Sequence, residues 1–229
     1  MRELFFDDES LNSKIINELS DNAVLIEFPY VYGLIAKPNH EGIHLLNKIK
    51  NRKPNKFYSS AIGDLEHFCN LISKDLKLIR SKNFIKGLND IILRVRITKT
   101  PFNSSVVCNG THQGLISDSE HRSLFKFIEN YFKNSFSEDL FNGKKYTAPF
   151  CTSANLSGDP NGSITSLKNA REFGKQRGIN IMIRMRESKK SILNKGSYPI
   201  LQIENNKIQI VRDGYLNDHI RNKIQHTTT

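Results

Sequence analysis

The chain has 229 residues, of which 38% are hydrophobic and 25% are charged, so it is long enough to bury a core and has the composition of a globular protein. No stretch reaches the roughly 18 apolar residues that a membrane span requires, and the acidic start (Asp7, Asp8, Glu9) is unlike a signal peptide. The 34 Lys and Arg residues outnumber the 23 Asp and Glu residues and give a net charge of +11. This surplus favours polyanionic partners such as nucleotides, RNA or an acidic membrane surface.

The three cysteines, Cys69, Cys108 and Cys151, are widely separated and form no CxxC pair. Zinc sites and disulfide frameworks show characteristic cysteine spacings, so neither is predicted here. We therefore expect a cytoplasmic protein with reduced thiols, no membrane partner and no metal ligands.

The first half of the chain alternates between helical and strand-like patterns. Leu11, Ile15, Ile16 and Leu19 recur at helical spacing behind Ser10, a candidate N-cap. Short apolar runs predict buried strands, and longer segments with one apolar face predict helices. The result is helices at 10–20, 40–50 and 64–73, a short helix at 74–80, strands at 23–26 and 58–62, a further apolar segment at 30–34, and a turn at Pro38-Asn39.

The second half predicts strands at 91–97 and 179–185 and helices at 121–133 and 166–174. Residues 98–120 are mixed, with 106–108 the only strand-like piece, and 135–145 predict a loop. Two closing strands, at 200–203 and 207–211, are joined by a turn at Asn205-Asn206. Because strands and helices alternate but the chain closes with a hairpin, we predict one α/β domain over residues 1–215 with mixed strand directions, and a polar tail over 216–229.

Lys50, Arg52 and Lys56 follow the apolar face of the second predicted helix, where the helix gives way to a loop containing Pro54. Cations complement the negative end of a helix dipole, so one interpretation is a solvated C-terminal turn. The other is a clamp for a polyphosphate, in which the lysines act as point charges and Arg52 as a planar fork. The cluster by itself favours the solvated turn.

A second candidate site lies at the end of a predicted strand and reads Thr152-Ser153-Ala154-Asn155-Leu156-Ser157-Gly158. Small side chains let a ligand approach the backbone, and the hydroxyl and amide groups offer donors and acceptors. A simple Ser/Asn/Gly turn is an equally weighted alternative. Ser197, which enters the final hairpin, and Arg212, which ends the last strand, are weaker candidates.

Together and in this order, these blocks resemble the YrdC-like threonylcarbamoyl-AMP synthase family over about residues 10 to 215. The block over 152–160 matches the family's Thr-Ser-Ala-Asn-x-Ser-Gly-x-Pro throughout and is the most specific. The family's Lys-x-Arg-Pro motif corresponds to residues 50–58 and its Tyr-Gly-Leu to residues 32–34. Its Ser-Thr-Val/Ile turn and its Arg-x-Gly close resemble residues 197–200 and 212–214.

The resemblance implies a single YrdC-like α/β domain, an open twisted mixed sheet with helices around a basic cavity. It also implies an enzyme that joins threonine, bicarbonate and ATP into threonylcarbamoyl-AMP and releases pyrophosphate, for the modification of adenosine 37 in tRNA (t6A). Mg²⁺ would accompany ATP, held largely by phosphate oxygens and water. tRNA or proteins of the t6A pathway would be partners.

The same resemblance assigns roles to individual residues. Lys50, Arg52 and Lys56 would be the catalytic cations and would bind the phosphates of ATP. The other assignments are Ser153 and Asn155 for the nucleotide and carbamate, Ser197 and Arg212 for the ATP side, and Tyr32, Thr152 and Ser153 for the amino acid substrate.

Two departures from the family concern the amino acid half of the site. Glu27-Phe28-Pro29-Tyr30 replaces the family's Pro-Thr-Asp/Glu-Thr, and the arginine of its Val-Arg-Val-Pro-Asp-His corresponds to Ser117 or, in another alignment, to Arg96. Two further hypotheses therefore stand beside the synthase. One is a paralogue that makes or transfers a carbamoyl-adenylate on another acceptor, and the other is a non-catalytic module that binds nucleotides or RNA.

Overall fold

The structure, a computed structural model, describes residues 1–52, 56–76, 88–186, 196–205 and 207–214. The predicted tail over 216–229, residues 77–80 of the short predicted helix and residues 53–55 of the cation cluster lie outside these ranges. The helices are α1 (Leu11–Asp21), α2 (His40–Lys50), α3 (Leu65–Leu71), α4 (Ser119–Tyr131) and α5 (Leu167–Gln176), with a 3-10 turn at Glu138–Phe141. The strands are β1 (Arg2–Phe5), β2 (Val24–Glu27), β3 (Tyr32–Ala36), β4 (Ser59–Ala61), β5 (Ile91–Arg96), β6 (Val107–Cys108), β7 (Thr111–Ile116), β8 (Phe150–Ser153), β9 (Ile181–Arg184), β10 (Ile200–Glu204) and β11 (Lys207–Arg212).

The strands form one open sheet in the order β1-β9-β2-β3-β8-β4-β7-β5-β10-β11, with β6 paired to β7. The sheet contains both parallel pairs (β1 with β9, β2 with β9, β4 with β7, β5 with β10) and antiparallel ones, such as β3 with β8 and β10 with β11. β1 and β11 lie at opposite edges and do not pair with each other. The prediction of one mixed α/β sheet is confirmed.

Alternate residues of the strands enter two separate apolar cores, because successive side chains of a strand point to opposite faces. Leu25 and Leu34 belong to the core that packs α2, α3 and α5. Val24, Ile26 and Ile35 belong to the core that packs α1 and α4. Helices therefore cover both faces of the sheet, and most of its strands are buried.

The sequence patterns did not predict two of the strands. β7 carries His112, Gln113 and Gly114, residue types that do not favour strands, yet it lies between β4 and β5 in the middle of the sheet. β1 is a short edge strand whose partner, β9, comes from the other end of the chain. In both cases pairing with distant segments determines the strand, and a local pattern does not carry that information.

Candidate active site

A cavity of about 290 Å³ opens on the sheet face that carries α1 and α4. Its floor includes Ile92, Leu115 and Cys151, which belong to the core on that face. The lining brings together every site residue predicted from the sequence except Tyr32: Lys50, Arg52, Lys56, Thr152, Ser153, Asn155, Ser197 and Arg212. No Asp or Glu is among the described residues that line it, so its charged side chains are all cationic.

Helix α2 delivers the first of these cations. Its N-terminus is capped by Asn39, whose Oδ1 accepts a hydrogen bond from the Gly42 amide at 3.1 Å, and Asn51 ends it in the left-handed region with φ 47°. Lys50 occupies the last helical position and turns inward, with only 2% of the residue exposed. The solvated turn that the charge pattern favoured is therefore wrong for Lys50.

The Lys50 ammonium contacts the turn that follows β8. Nζ donates to the carbonyl oxygens of Ser153 and Asn155 at 2.5 and 2.7 Å and to Asn155 Oδ1 at 3.1 Å. Burial lowers the pKa of Lys50 to about 7, and the neighbouring charge of Arg52 acts in the same direction.

Arg52 is held by two contacts that leave part of its guanidinium available. Nη2 donates to the Phe57 carbonyl at 2.8 Å, and Cζ lies 4.1 Å from the centre of the Tyr58 ring. The Tyr58 hydroxyl in turn donates to Asn47 Oδ1 at 2.8 Å, which fixes the ring against α2. Nε of Arg52 is buried and has no partner among the described residues. Lys56 is exposed at the mouth of the same cavity.

The predicted turn at 152–158 follows β8 and is fastened on two sides. The Ala154 amide donates to the Tyr32 carbonyl on β3 at 2.8 Å, and the Ser157 amide donates to the Lys50 carbonyl at 2.9 Å. Within the turn, Ser153 Oγ donates to Asn155 Oδ1 at 2.7 Å. Gly158 has φ +82°, a left-handed conformation that suits glycine.

Arg212 enters the cavity from the far end of the sheet. Its Nε donates to the Tyr198 carbonyl at 2.9 Å. Tyr198 follows Ser197 in the segment that precedes β10. Partial burial and the nearby Arg94 both lower the pKa of Arg212. Arg94 on β5 is a cation that the sequence interpretation missed, although Ile92 two residues earlier already points to this face. Because every second residue of a strand lies on the same face, the alternation along β5 could have predicted the side of the sheet on which Arg94 lies.

Tyr32 is the predicted site residue that the structure does not bring to the cavity. Its side chain is buried near Glu27 and Arg184, and burial together with the Glu27 charge raises its pKa to about 12. Only its backbone serves the site, because the Tyr32 carbonyl holds Ala154 and its amide donates to the Ile164 carbonyl at 2.8 Å.

Aromatic rings are packed where the sequence departs from the family's Pro-Thr-Asp/Glu-Thr. Phe28 and Tyr30 pack edge to face on Tyr198, with ring centres 6.1 and 5.1 Å apart. Ser117 does not line the cavity; it is fully buried, and its hydroxyl has no partner among the described residues. Arg96 does not line the cavity and forms an ion pair with Glu204 at 2.9 Å, so neither alignment supplies an arginine at that position.

Sequence comparison finds no matching family model and no matching curated protein. The fold, in contrast, resembles solved structures. P. abyssi Sua5 matches 97% of this chain with a TM-score of 0.66 and 16% identity, and E. coli YciO matches 94% with a TM-score of 0.63 and 10% identity. The chain covers 63% of the Sua5 chain and 95% of the YciO chain.

Two similar structures were solved with ligands. Sua5 from P. abyssi in complex with L-threonine matches 88% of this chain with a TM-score of 0.62 and 16% identity, and the match covers 53% of that chain. Full-length HypF in its phosphate- and nucleotide-bound form matches 90% of this chain with a TM-score of 0.60 and 13% identity, over 29% of its own length. The chain thus spans less than two thirds of Sua5. From these similarities, the fold of this protein is YrdC-like.

Proposed function

We propose that this protein is an ATP-dependent enzyme that makes threonylcarbamoyl-AMP from threonine, bicarbonate and ATP and releases pyrophosphate, for the t6A modification of tRNA. The observation that carries the proposal is a cavity in which Arg52, Lys56 and Arg212 surround the hydroxyl-rich turn at 153–157, with no carboxylate in its lining. Cations and neutral donors without acidic neighbours suit a polyphosphate. The ligands of the similar structures, L-threonine in Sua5 and phosphate and nucleotide in HypF, support the same assignment.

The reaction that this arrangement suits is attack of a carbamate oxygen on the α-phosphorus of ATP. A new P–O bond forms while the bond to the bridging oxygen of pyrophosphate breaks, and negative charge grows on the phosphoryl oxygens and on the leaving group. Arg52, Lys56 and Arg212 would stabilise that charge, and the turn at 153–157 would orient the nucleotide. Mg²⁺ would enter with ATP, since the described lining offers no carboxylate to hold it.

Pyrophosphate release tests the proposal directly. The purified protein is incubated with ATP, bicarbonate and threonine, and pyrophosphate and the adenylate product are measured. We expect release that requires all three substrates. ATP binding without threonine-dependent release would reject the synthase and leave an enzyme that uses another acceptor or a nucleotide-binding module.

A second candidate function is carbamoyl-adenylate chemistry on an acceptor other than threonine. Phe28 and Tyr198 favour it, because their packed rings line the cavity where the sequence departs from the family's hydroxyl-bearing motif. Neither Ser117 nor Arg96, the two positions aligned with the family's arginine, lines the cavity. A smaller or flatter acceptor would suit such a wall better than threonine does.

The two candidates are separated by an acceptor screen that compares the wild-type protein with Phe28→Ala. If another acceptor is used, amines or carbamoyl phosphate yield an AMP-linked product with the wild type, and threonine gains activity only in Phe28→Ala. Wild-type activity confined to threonine counts against this second candidate.

A further inference from the structure

Lys50 lines the cavity, but its surroundings differ from those of Arg52 and Lys56. The residue is 2% exposed, and no acidic side chain of the described residues forms an ion pair with it. An unpaired charge is expensive to bury, and an apolar side chain of similar length would fill the same space at a lower cost. Lys50 therefore requires an explanation beyond packing.

The geometry of the ammonium excludes a direct role toward phosphate in this conformation. A lysine ammonium has three N–H donors. All three acceptors that they need lie within 2.5–3.1 Å, and all of them belong to Ser153 and Asn155. No donor of Lys50 is left for a ligand.

The contact has a consequence for the backbone of the turn. In a trans peptide the C=O and N–H bonds point in opposite directions. Because the Asn155 carbonyl points to Lys50, the Leu156 amide points away from it, and this amide donates to no group of the described residues. Leu156 lines the cavity. The Lys50 contact thus orients a free backbone donor of the kind that binds anions.

We propose that Lys50 is a positioning residue, which holds the turn at 153–157 in the shape that binds the nucleotide and does not itself contact the phosphates. The Ser157 amide, which donates to the Lys50 carbonyl at 2.9 Å, adds a second fastening of the turn to the end of α2. The inference rests on the proposed nucleotide site.

The test compares Lys50→Met with Lys56→Met, a matched loss of one cation from the same cavity. ATP affinity is measured by calorimetry at about 0.1 M and about 1 M salt, between which the Debye length falls from about 10 Å to about 3 Å. We expect Lys50→Met to lose about tenfold in affinity at both salt concentrations. For Lys56→Met the loss should be present at low salt and largely absent at high salt, as for an exposed charge that acts on the phosphates directly.

Amide hydrogen exchange of residues 153–157 without ligand provides the second readout. Exchange should quicken in Lys50→Met and stay unchanged in Lys56→Met, while exchange of the core strand β2 stays unchanged in both. If Lys50→Met does not fold, Asn155→Ala removes one acceptor of the ammonium and should show the same local effect.

Unchanged exchange at 153–157 in Lys50→Met, or an affinity loss that high salt abolishes, would overturn the positioning role and indicate a direct phosphate contact. Failure of the proposed function looks different. If ATP binds but threonine releases no pyrophosphate, or if the wild type binds no ATP, the proposed function fails, and in both cases the exchange experiment still decides whether Lys50 holds the turn.

Discussion

Arg52 illustrates at the level of a single residue how a cation can be prepared for a ligand. The Tyr58 ring lies beneath its guanidinium and the Phe57 carbonyl holds Nη2, so little side-chain freedom remains to be lost on binding. Burial lowers its pKa, but an arginine stays charged at any physiological pH. The position of the charge is therefore set before the ligand arrives.

From this geometry we expect Arg52→Met to weaken ATP binding by about 1.5–3 kcal/mol, the usual range for a hydrogen bond to a charged group. Arg52→Lys should recover only part of the loss, because an ammonium keeps the charge but neither the fork nor the stacking on Tyr58. Calorimetry with ATP measures both effects. Lys48→Met, which removes an exposed cation from the same helix outside the cavity lining, is the control. Equal losses in Lys48→Met and Arg52→Met would contradict a specific role.

His112 is a second residue whose environment makes a measurable prediction. It is 1% exposed, with Nδ1 donating to the Val106 carbonyl at 2.8 Å and Nε2 accepting from Ser60 Oγ at 3.0 Å. Burial lowers the pKa of His112 to about 4. The side chain is therefore neutral in the folded protein, and it links β7 to β4.

The sign of the resulting pH dependence follows from linkage. Between about pH 6.5, the pKa of an unfolded histidine, and about pH 4, the unfolded state binds more protons than the folded state. The free energy of unfolding therefore falls as the pH drops through this window, by an amount on the order of 3 kcal/mol from His112. Denaturant titrations at several pH values measure this free energy. Its fall with decreasing pH should be shallower in His112→Gln than in the wild type. The exposed His44→Gln serves as the control, and a slope unchanged by His112→Gln would contradict the assignment.

At the level of the elements, Gly33 on β3 explains one block of the sequence resemblance. A Cβ at this position would lie 2.5 Å from Phe28 Cε2 and 3.0 Å from the Thr152 carbonyl oxygen. The glycine thus lets the Phe28 ring lie across β3 next to β8. The aromatic wall of the cavity depends on this close approach.

We expect Gly33→Ala to lower the free energy of unfolding by about 1–3 kcal/mol, the usual cost of overpacking. In a Phe28→Ala background the same change should cost less, because the ring that the new methyl group meets is gone. Urea denaturation of the wild type, the two single variants and the double variant measures the coupling free energy between the two positions. Equal costs in both backgrounds would show that Phe28 is not the obstacle.

The elements also show where sequence patterns succeed. α2 begins and ends at the predicted residues, because a capping asparagine and a continuous apolar stripe are both local features. α4 begins two residues earlier than predicted, at Ser119, because Asp118 caps it and its Oδ1 accepts from the His121 amide at 3.0 Å. β7 was missed because its burial comes from β4 and β5 on either side.

At the level of the whole molecule, the net charge of +11 is a property that no single site explains. None of the helices in the described part of the chain combines the length and hydrophobicity of a membrane span. If tRNA is a partner, as the proposed function implies, its phosphates would be attracted to the positively charged protein. Neutralising Z phosphates makes the logarithm of the affinity fall with the logarithm of the salt concentration, with a slope of about −0.7Z to −0.9Z.

We therefore expect the protein to bind tRNA at low salt and to lose affinity steeply as salt increases. Filter binding across a salt series measures the slope, with ATP binding to the same samples showing that the protein stays folded. Weak tRNA binding already at the lowest salt concentration would remove RNA from the proposed partners.

The sequence by itself determined the features that depend on neighbouring residues: the α/β class, the bounds of α2, and a small-residue turn after β8 preceded far upstream by a cluster of cations. Only the tertiary structure decided what those residues contact. It buried Lys50 against Ser153 and Asn155 and turned the Tyr32 side chain away from the cavity. It also added Arg94 near Arg212 and packed Phe28 against Tyr198 in the cavity wall. The reason is physical, because burial and hydrogen bonding of a side chain depend on segments that are distant in sequence and meet only when the sheet forms.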